Sequence, residues 1–168
     1  MNNIPKAIAL SLLLFSVSSL PGCYARTGEP TANNQQDILP LSEAGLKQVP
    51  LSVQTSNATH EFTVEVAENV AQQARGLMFR TQLAADKGMI FPFPEDRLAS
   101  FWMKNTVIPL DIIFVRRDGT IESIAANTIP YSLASVESNE PVAAVLEIAA
   151  GRAAELGIEP GDSVIWAR

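Results

Sequence analysis

The stretch FWMKNTVIPLDIIFV, residues 101–115, decides how this chain is read. It sets Lys104, Asn105 and Asp111 among large apolar side chains. A charge or amide carried into an apolar interior is costly unless it finds a partner there. These three residues are therefore either internal ties of a domain or the polar part of a site. Leu110, Ile112 and Phe114 alternate with Asp111, Ile113 and Val115, the period of two that marks a strand. LASFWMKNT, residues 98–106, alternates too, with Phe101, Met103 and Asn105 against Ser100, Trp102 and Lys104. Pro109 interrupts the run, so the pattern predicts two strands on either side of a break.

The same period continues outward. VPLSVQT (49–55) and HEFTVEVAE (60–68) flank a turn at Ser56-Asn57-Ala58 and read as a hairpin. GMIFPF (88–93) is a short apolar strand that Pro92 confines to an edge or a strand end. LDIIFVRRDGTIESIAAN (110–127) folds about Arg117-Asp118-Gly119 as a second hairpin, and PVAAVLEIAAG (141–151) and SVIWA (163–167) supply further strands. Helical signals are few. Asn69 and Gln72 make a capping box ahead of a short helix at 69–75, with Gly76 at its exit. A second short helix at 151–157 ends at Gly157, and Pro160-Gly161 suits a type II turn. Seven or eight short strands without regular βαβ alternation predict a mainly β fold: a compact, partly closed antiparallel β-barrel with two short helices, spanning 48–168.

Ahead of that domain the composition changes twice. MNNIPK is a weakly positive start, and residues 7–19 are apolar or small, shorter than the about 20 residues of a membrane span. LPGC (20–23) then resembles the lipobox of bacterial lipoproteins, in which cleavage precedes a diacylated cysteine. Residues 1–22 are thus expected to be a signal peptide and Cys23 a lipidated anchor in the membrane. A secretory signal cut after Ala25 and an uncleaved anchor are the other two readings. Residues 23–47, rich in Thr, Asn, Gln, Gly and Pro, are too polar to offset their ordering entropy and read as a flexible tether. The domain is expected outside the cytoplasm, lipid-anchored in the cell envelope and facing the periplasm.

Charge and cysteine content narrow the function classes. The 168 residues carry 18 acids against 12 bases, and the longest basic cluster, Arg116-Arg117, adjoins Asp118. Nucleic-acid binding needs a basic face that displaces counterions, so no nucleic-acid partner is expected. The single cysteine excludes a disulfide scaffold or zinc ribbon. Neither a nucleophile elbow, a phosphate-binding loop nor a dinucleotide fingerprint occurs.

Four segments in order, RGLMFR (75–80), GMIFPF (88–93), FWMKNTVIPLDIIFV (101–115) and VLEIAAG (145–151), resemble the bacterial and archaeal family called domain of unknown function 192. The resemblance covers about residues 50–168. It implies a β-rich, barrel-like domain, often behind an export or lipoprotein signal, and it implies no established activity.

Asp111 and Glu147 are each a carboxyl among apolar neighbours. Each is expected to hold a basic side chain (Arg75, Arg80 or Lys104) or loop amides; the alternative is a carboxylate pair for acid–base work, as in glycosidases. Lys104-Asn105-Thr106 stands before the proline break, where such residues tie turns to backbone. Alternatively, with Arg80, they form a pocket for an anionic or sugar-like ligand. The candidate binding set is Arg80, Lys104, Asn105, Asp111 and Glu147. Met78, Met89 and Met103 offer thioethers that suit copper(I), against a plain gap-filling role in a core. His60, the lone histidine, reads as surface. The leading expectation is a membrane-tethered binding domain without cofactor, taking an envelope polysaccharide, a small ligand or an envelope protein. An envelope polysaccharide hydrolase using Asp111 and Glu147, and a copper(I)-binding protein, are the alternatives.

Overall fold

The computed structural model describes residues 39–167. The expected signal peptide, Cys23 and most of the expected tether lie outside them. The elements are β1 (Gln48–Gln54), β2 (Thr59–Val66), α1 (Val70–Arg75), β3 (Lys87–Arg97), β4 (Ser100–Phe101), β5 (Leu110–Val115), β6 (Ile121–Ala125), β7 (Val136–Glu137), β8 (Val142–Ala149), α2 (Arg152–Leu156) and β9 (Ser163–Trp166). The fold is mainly β, with two short helices, as the alternation predicts.

Seven strands build one sheet in the order β6-β5-β8-β3-β2-β1-β9, while β4 pairs with β7 alone. Every pairing is antiparallel except β2 with β3, which run parallel because α1 carries the chain back between them. The sheet curls until its edges touch at one end. There the Val164 N–H donates to the Gly119 carbonyl at 2.8 Å, and the Ile121 N–H to the Asp162 carbonyl at 2.8 Å. Thr120 faces Ser163 in a single bridge. Gly119 sits at φ +91, and a Cβ there would stand 2.9 Å from the Val164 carbonyl oxygen, so this seam needs glycine. The result is a curled half-barrel that is only partly closed.

Two hydrophobic layers follow from the pleat. Leu51, Val53, Val64, Ile113, Leu146 and Ile148 fill the concave side. Met89, Phe91, Met103, Ile112, Phe114 and Val145 form a second core on the opposite face. Strands β5 and β8 are therefore buried on both faces, each fully buried aliphatic side chain contributing about 1.5–3 kcal/mol. Any polar side chain on them must be accounted for.

Two details depart from the sequence pattern. The alternation at 98–106 is not one strand: only Ser100 and Phe101 pair, with Glu137 and Val136. Beyond them an irregular segment tucks Met103 and Thr106 in and leaves Trp102 and Lys104 out, which copies a strand's alternation without a ladder. Pro92 lies in an interior strand, yet after β2 has stopped pairing at Ile90 and just before the β3–β8 register breaks. Its missing N–H is harmless there. At the start of the described chain, a turn bonded from Gly45 to Ser42 precedes Leu46, which packs on the second core.

Candidate functional site

Asp111 and Glu147 answer the opening question differently. In the β5–β8 ladder Glu147 lies opposite Ile112, and Asp111 lies opposite Ile148. Directly paired residues share a face and neighbours along a strand do not, so the two carboxyls point to opposite sides of the sheet. They cannot act on one bond, which removes the geometry of the glycosidase alternative. Nor is Asp111 held by Arg75, Arg80 or Lys104. Its Oδ1 accepts the backbone N–H groups of Asn127 at 2.8 Å and Gly151 at 3.1 Å, and its Oδ2 accepts that of Ala153 at 2.9 Å. Asp111 is thus a tie that joins the start of β5 to the loop after β6 and to the start of α2.

Glu147 is the opposite case. It stands mid-strand between β3 and β5, with Met89 and Ile112 as cross-strand neighbours, both fully buried. The residue is only 5% exposed, and among the described residues its carboxyl has no hydrogen-bond or ion-pair partner. Burial pushes it up from the ordinary 4.5 to about 8, so it is largely the neutral acid at pH 7.

A cleft of ≈ 360 Å³ opens above it. One wall is α1 and its exit. Asn69 accepts from the Gln72 N–H at 3.0 Å, and the Gln72 side chain accepts in return from the Asn69 N–H, so the six-residue helix is capped as the sequence predicts. Gln73 Nε2 reaches across to the carbonyls of Ala67 at 3.2 Å and Pro92 at 3.1 Å, pinning the helix to β3. The other wall carries Phe91 and Phe101, edge to face at 5.1 Å, and then Trp102. Arg75 and Arg97 complete the lining. Their guanidinium groups lie over the rings of Phe79 and Phe93, at 5.8 and 3.9 Å.

Of the candidate set only Glu147 lines this cleft. Lys104 comes near it through Trp102, its Nζ standing 5.0 Å from the ring centre. Asn105 lies outside the lining: its carbonyl accepts the Phe79 N–H at 2.9 Å and its Nδ2 approaches the Met78 sulfur at 3.8 Å. Arg80 faces a separate, larger groove of ≈ 670 Å³, where it binds Glu65 at 2.6 Å. Met89 and Met103 are sealed in the second core, and only Met78 reaches the cleft, so the methionines do not present a common face. Sequence reasoning missed Gln73, Arg97, Phe101 and Trp102. They come from three separate elements and converge only because β4 and α1 fold over the same face of β3. Among the described residues no group of three His, Cys, Asp or Glu could hold a metal ion.

Fold and site together define a class: a half-barrel β domain with one unpartnered carboxyl at the bottom of an aromatic, guanidinium-rimmed cleft. The chain belongs to the DUF192 family, described as Uncharacterized ACR, whose model matches residues 51–166. It is similar to a protein of unknown function from Novosphingobium aromaticivorans DSM 12444, at 47% identity and a TM-score of 0.75, covering 83% of this chain and 99% of that one. It is also similar to a protein from Sinorhizobium meliloti 1021, provisionally described as a transcription regulator. That match has 44% identity and a TM-score of 0.71, over 72% of this chain and 95% of the other. Among curated proteins none matches.

Proposed function

We propose that this protein is an exported binding domain of the cell envelope, tethered to the membrane through Cys23, with the cleft above Glu147 as its binding site. The observation that carries the reading is the unpartnered, buried Glu147 carboxyl beneath aromatic rings and two guanidinium groups. A neutral carboxyl can both donate and accept a hydrogen bond, which suits sugar hydroxyls and amides. The rings of Phe101 and Trp102 offer apolar faces to a pyranose, and Arg75 and Arg97 suit a carboxylate on it. The ligand is therefore an envelope glycan that carries acidic sugars. Binding is favoured over hydrolysis because the second carboxyl that glycosidases use is on the far side of the sheet. The LPGC motif supports the anchored location. A role in transcription is not carried over from the Sinorhizobium protein, given the excess of acids over bases.

Calorimetry of the full chain with soluble peptidoglycan disaccharide fragments tests the site. Binding that weakens at least tenfold in Glu147→Ala, with wild-type far-ultraviolet circular dichroism showing that the fold is kept, is the expected result. Equal binding by both proteins, or none by the wild type, overturns it. Radiolabelled palmitate that enters the wild type and not Cys23→Ala tests the anchor.

A further inference from the structure

Beside the cleft, three loops are laced together by their backbones. The Phe79 N–H donates to the Asn105 carbonyl at 2.9 Å, the Tyr131 N–H to the Thr106 carbonyl at 3.1 Å, and the Met103 N–H to the Ser132 carbonyl at 3.0 Å. From this frame project Phe79, Trp102, Ile129, Tyr131 and Leu133, each between 49% and 73% exposed. Soluble proteins rarely cluster so many large apolar side chains in water without a use for them. Phe79 and Tyr131 moreover hold φ of 64° and 62°, a left-handed conformation uncommon for aromatic residues. Strain retained on exposed aromatic residues points to function.

Charge supplies the second, independent observation. Residues 69–82, 98–109 and 123–136, which form these loops and their flanks, contain no Asp or Glu, although the chain has 18 acids. Lys104 lies over Trp102 and Arg75 over Phe79. Among the described residues neither cation is paired with a carboxylate. The aromatic and aliphatic tips thus carry unpaired positive charge on segments that themselves contain no acid.

We propose that this face docks on the surface of an anionic lipid bilayer. Trp102, Tyr131 and Phe79 enter the boundary between headgroups and acyl chains, where aromatic rings concentrate, with Ile129 and Leu133 beside them. Lys104 and Arg75 meet the lipid phosphates. A protein partner fits less well, because protein interfaces combine an apolar centre with a polar rim, whereas here the cations stack on the apolar tips themselves. The inference shares Trp102 and Arg75 with the cleft but does not use Glu147, so vesicle binding by Glu147→Ala at the wild-type level separates it from the glycan reading.

The full chain carrying Trp166→Phe leaves Trp102 as the sole indole, and its fluorescence reports the face directly. On phosphatidylglycerol vesicles its emission should shift to the blue and be quenched by brominated acyl chains, with little response on phosphatidylcholine. Lys104→Gln should weaken the partition about fivefold, the factor one basic residue supplies near an anionic surface, and added salt should act in the same direction. The companion Trp102→Phe, which keeps Trp166, should lose the response even if the first variant folds poorly. Apolar residues 7–19 can bring every variant to vesicles, so the Trp102 environment is the readout and sedimentation is not. Trp102 left open to iodide on anionic vesicles overturns the proposal, as does an equal response on both lipids. A shift produced by an envelope protein and not by lipid assigns the face to a protein partner and overturns it as well.

Discussion

Asp111 and Glu147 lie one register step apart on adjacent strands, yet their carboxyls leave the sheet in opposite directions. One is saturated by three backbone amides. The other has none and faces a cleft. The same side-chain chemistry therefore serves as architecture on one face and as a candidate site on the other.

Asp111→Ala should be among the most destabilising substitutions in the chain. It leaves the amides of Asn127, Gly151 and Ala153 without an acceptor, the last two at the N-cap and in the first turn of α2. A buried unsatisfied donor costs about 1–3 kcal/mol, so a loss of roughly 3 kcal/mol or more is expected. Urea unfolding should show a lower midpoint with an unchanged slope.

Glu147 should make stability depend on pH in a definite direction. Its folded value is raised to about 8 from the ordinary 4.5, so between these limits the folded chain holds a proton that the unfolded chain has lost. Its stabilising contribution is complete below pH 4.5 and is lost as pH rises through 8. The slope is about 1.4 kcal/mol per pH unit inside that window. Glu147→Gln should remove this component and be relatively more stable at pH 8. Unfolding free energies of both proteins at pH 5, 6.5 and 8 decide it.

Gly88→Ala tests how closely β3 and β8 approach beside the site. A Cβ on residue 88 would stand 2.6 Å from the Glu147 carbonyl oxygen, so one strand must move. Overpacking of this kind costs roughly 1–3 kcal/mol. Because the displaced backbone carries Glu147, affinity for the proposed glycan should fall along with the melting temperature.

The ion pair of Arg80 and Glu65 should matter through its half-buried setting. Their side chains are 30% and 11% exposed, so Arg80→Leu leaves Glu65 with little water to replace the lost partner. A loss of about 1–2 kcal/mol is expected, reduced from the fully buried case because Arg80 retains solvent. A double-mutant cycle with Glu65→Leu should show the double variant more stable than additivity predicts.

The alternating runs at 49–55, 60–68 and 110–115, the capping box at Asn69 and Gln72, and the turn glycines made the mainly β architecture legible. Each is a local signal in which side-chain period or φ preference dictates structure over a few residues. The family-specific segments were legible for the same reason. The irregular segment at 102–106 carries the alternation of a strand without its ladder, because burial alone reproduces that period.

The apolar setting of Asp111 and Glu147 is written in the chain itself, and so are the apolar run at 7–19 and the cysteine after it. Which carboxyl is answered by amides and which is left open was decided only in three dimensions. Strand register assigns each side chain to a face, and the segments that cover one face arrive from distant parts of the sequence. Arg75, Arg97 and Trp102 meet over Glu147 through α1, β3 and the loop after β4, a convergence that no local pattern encodes.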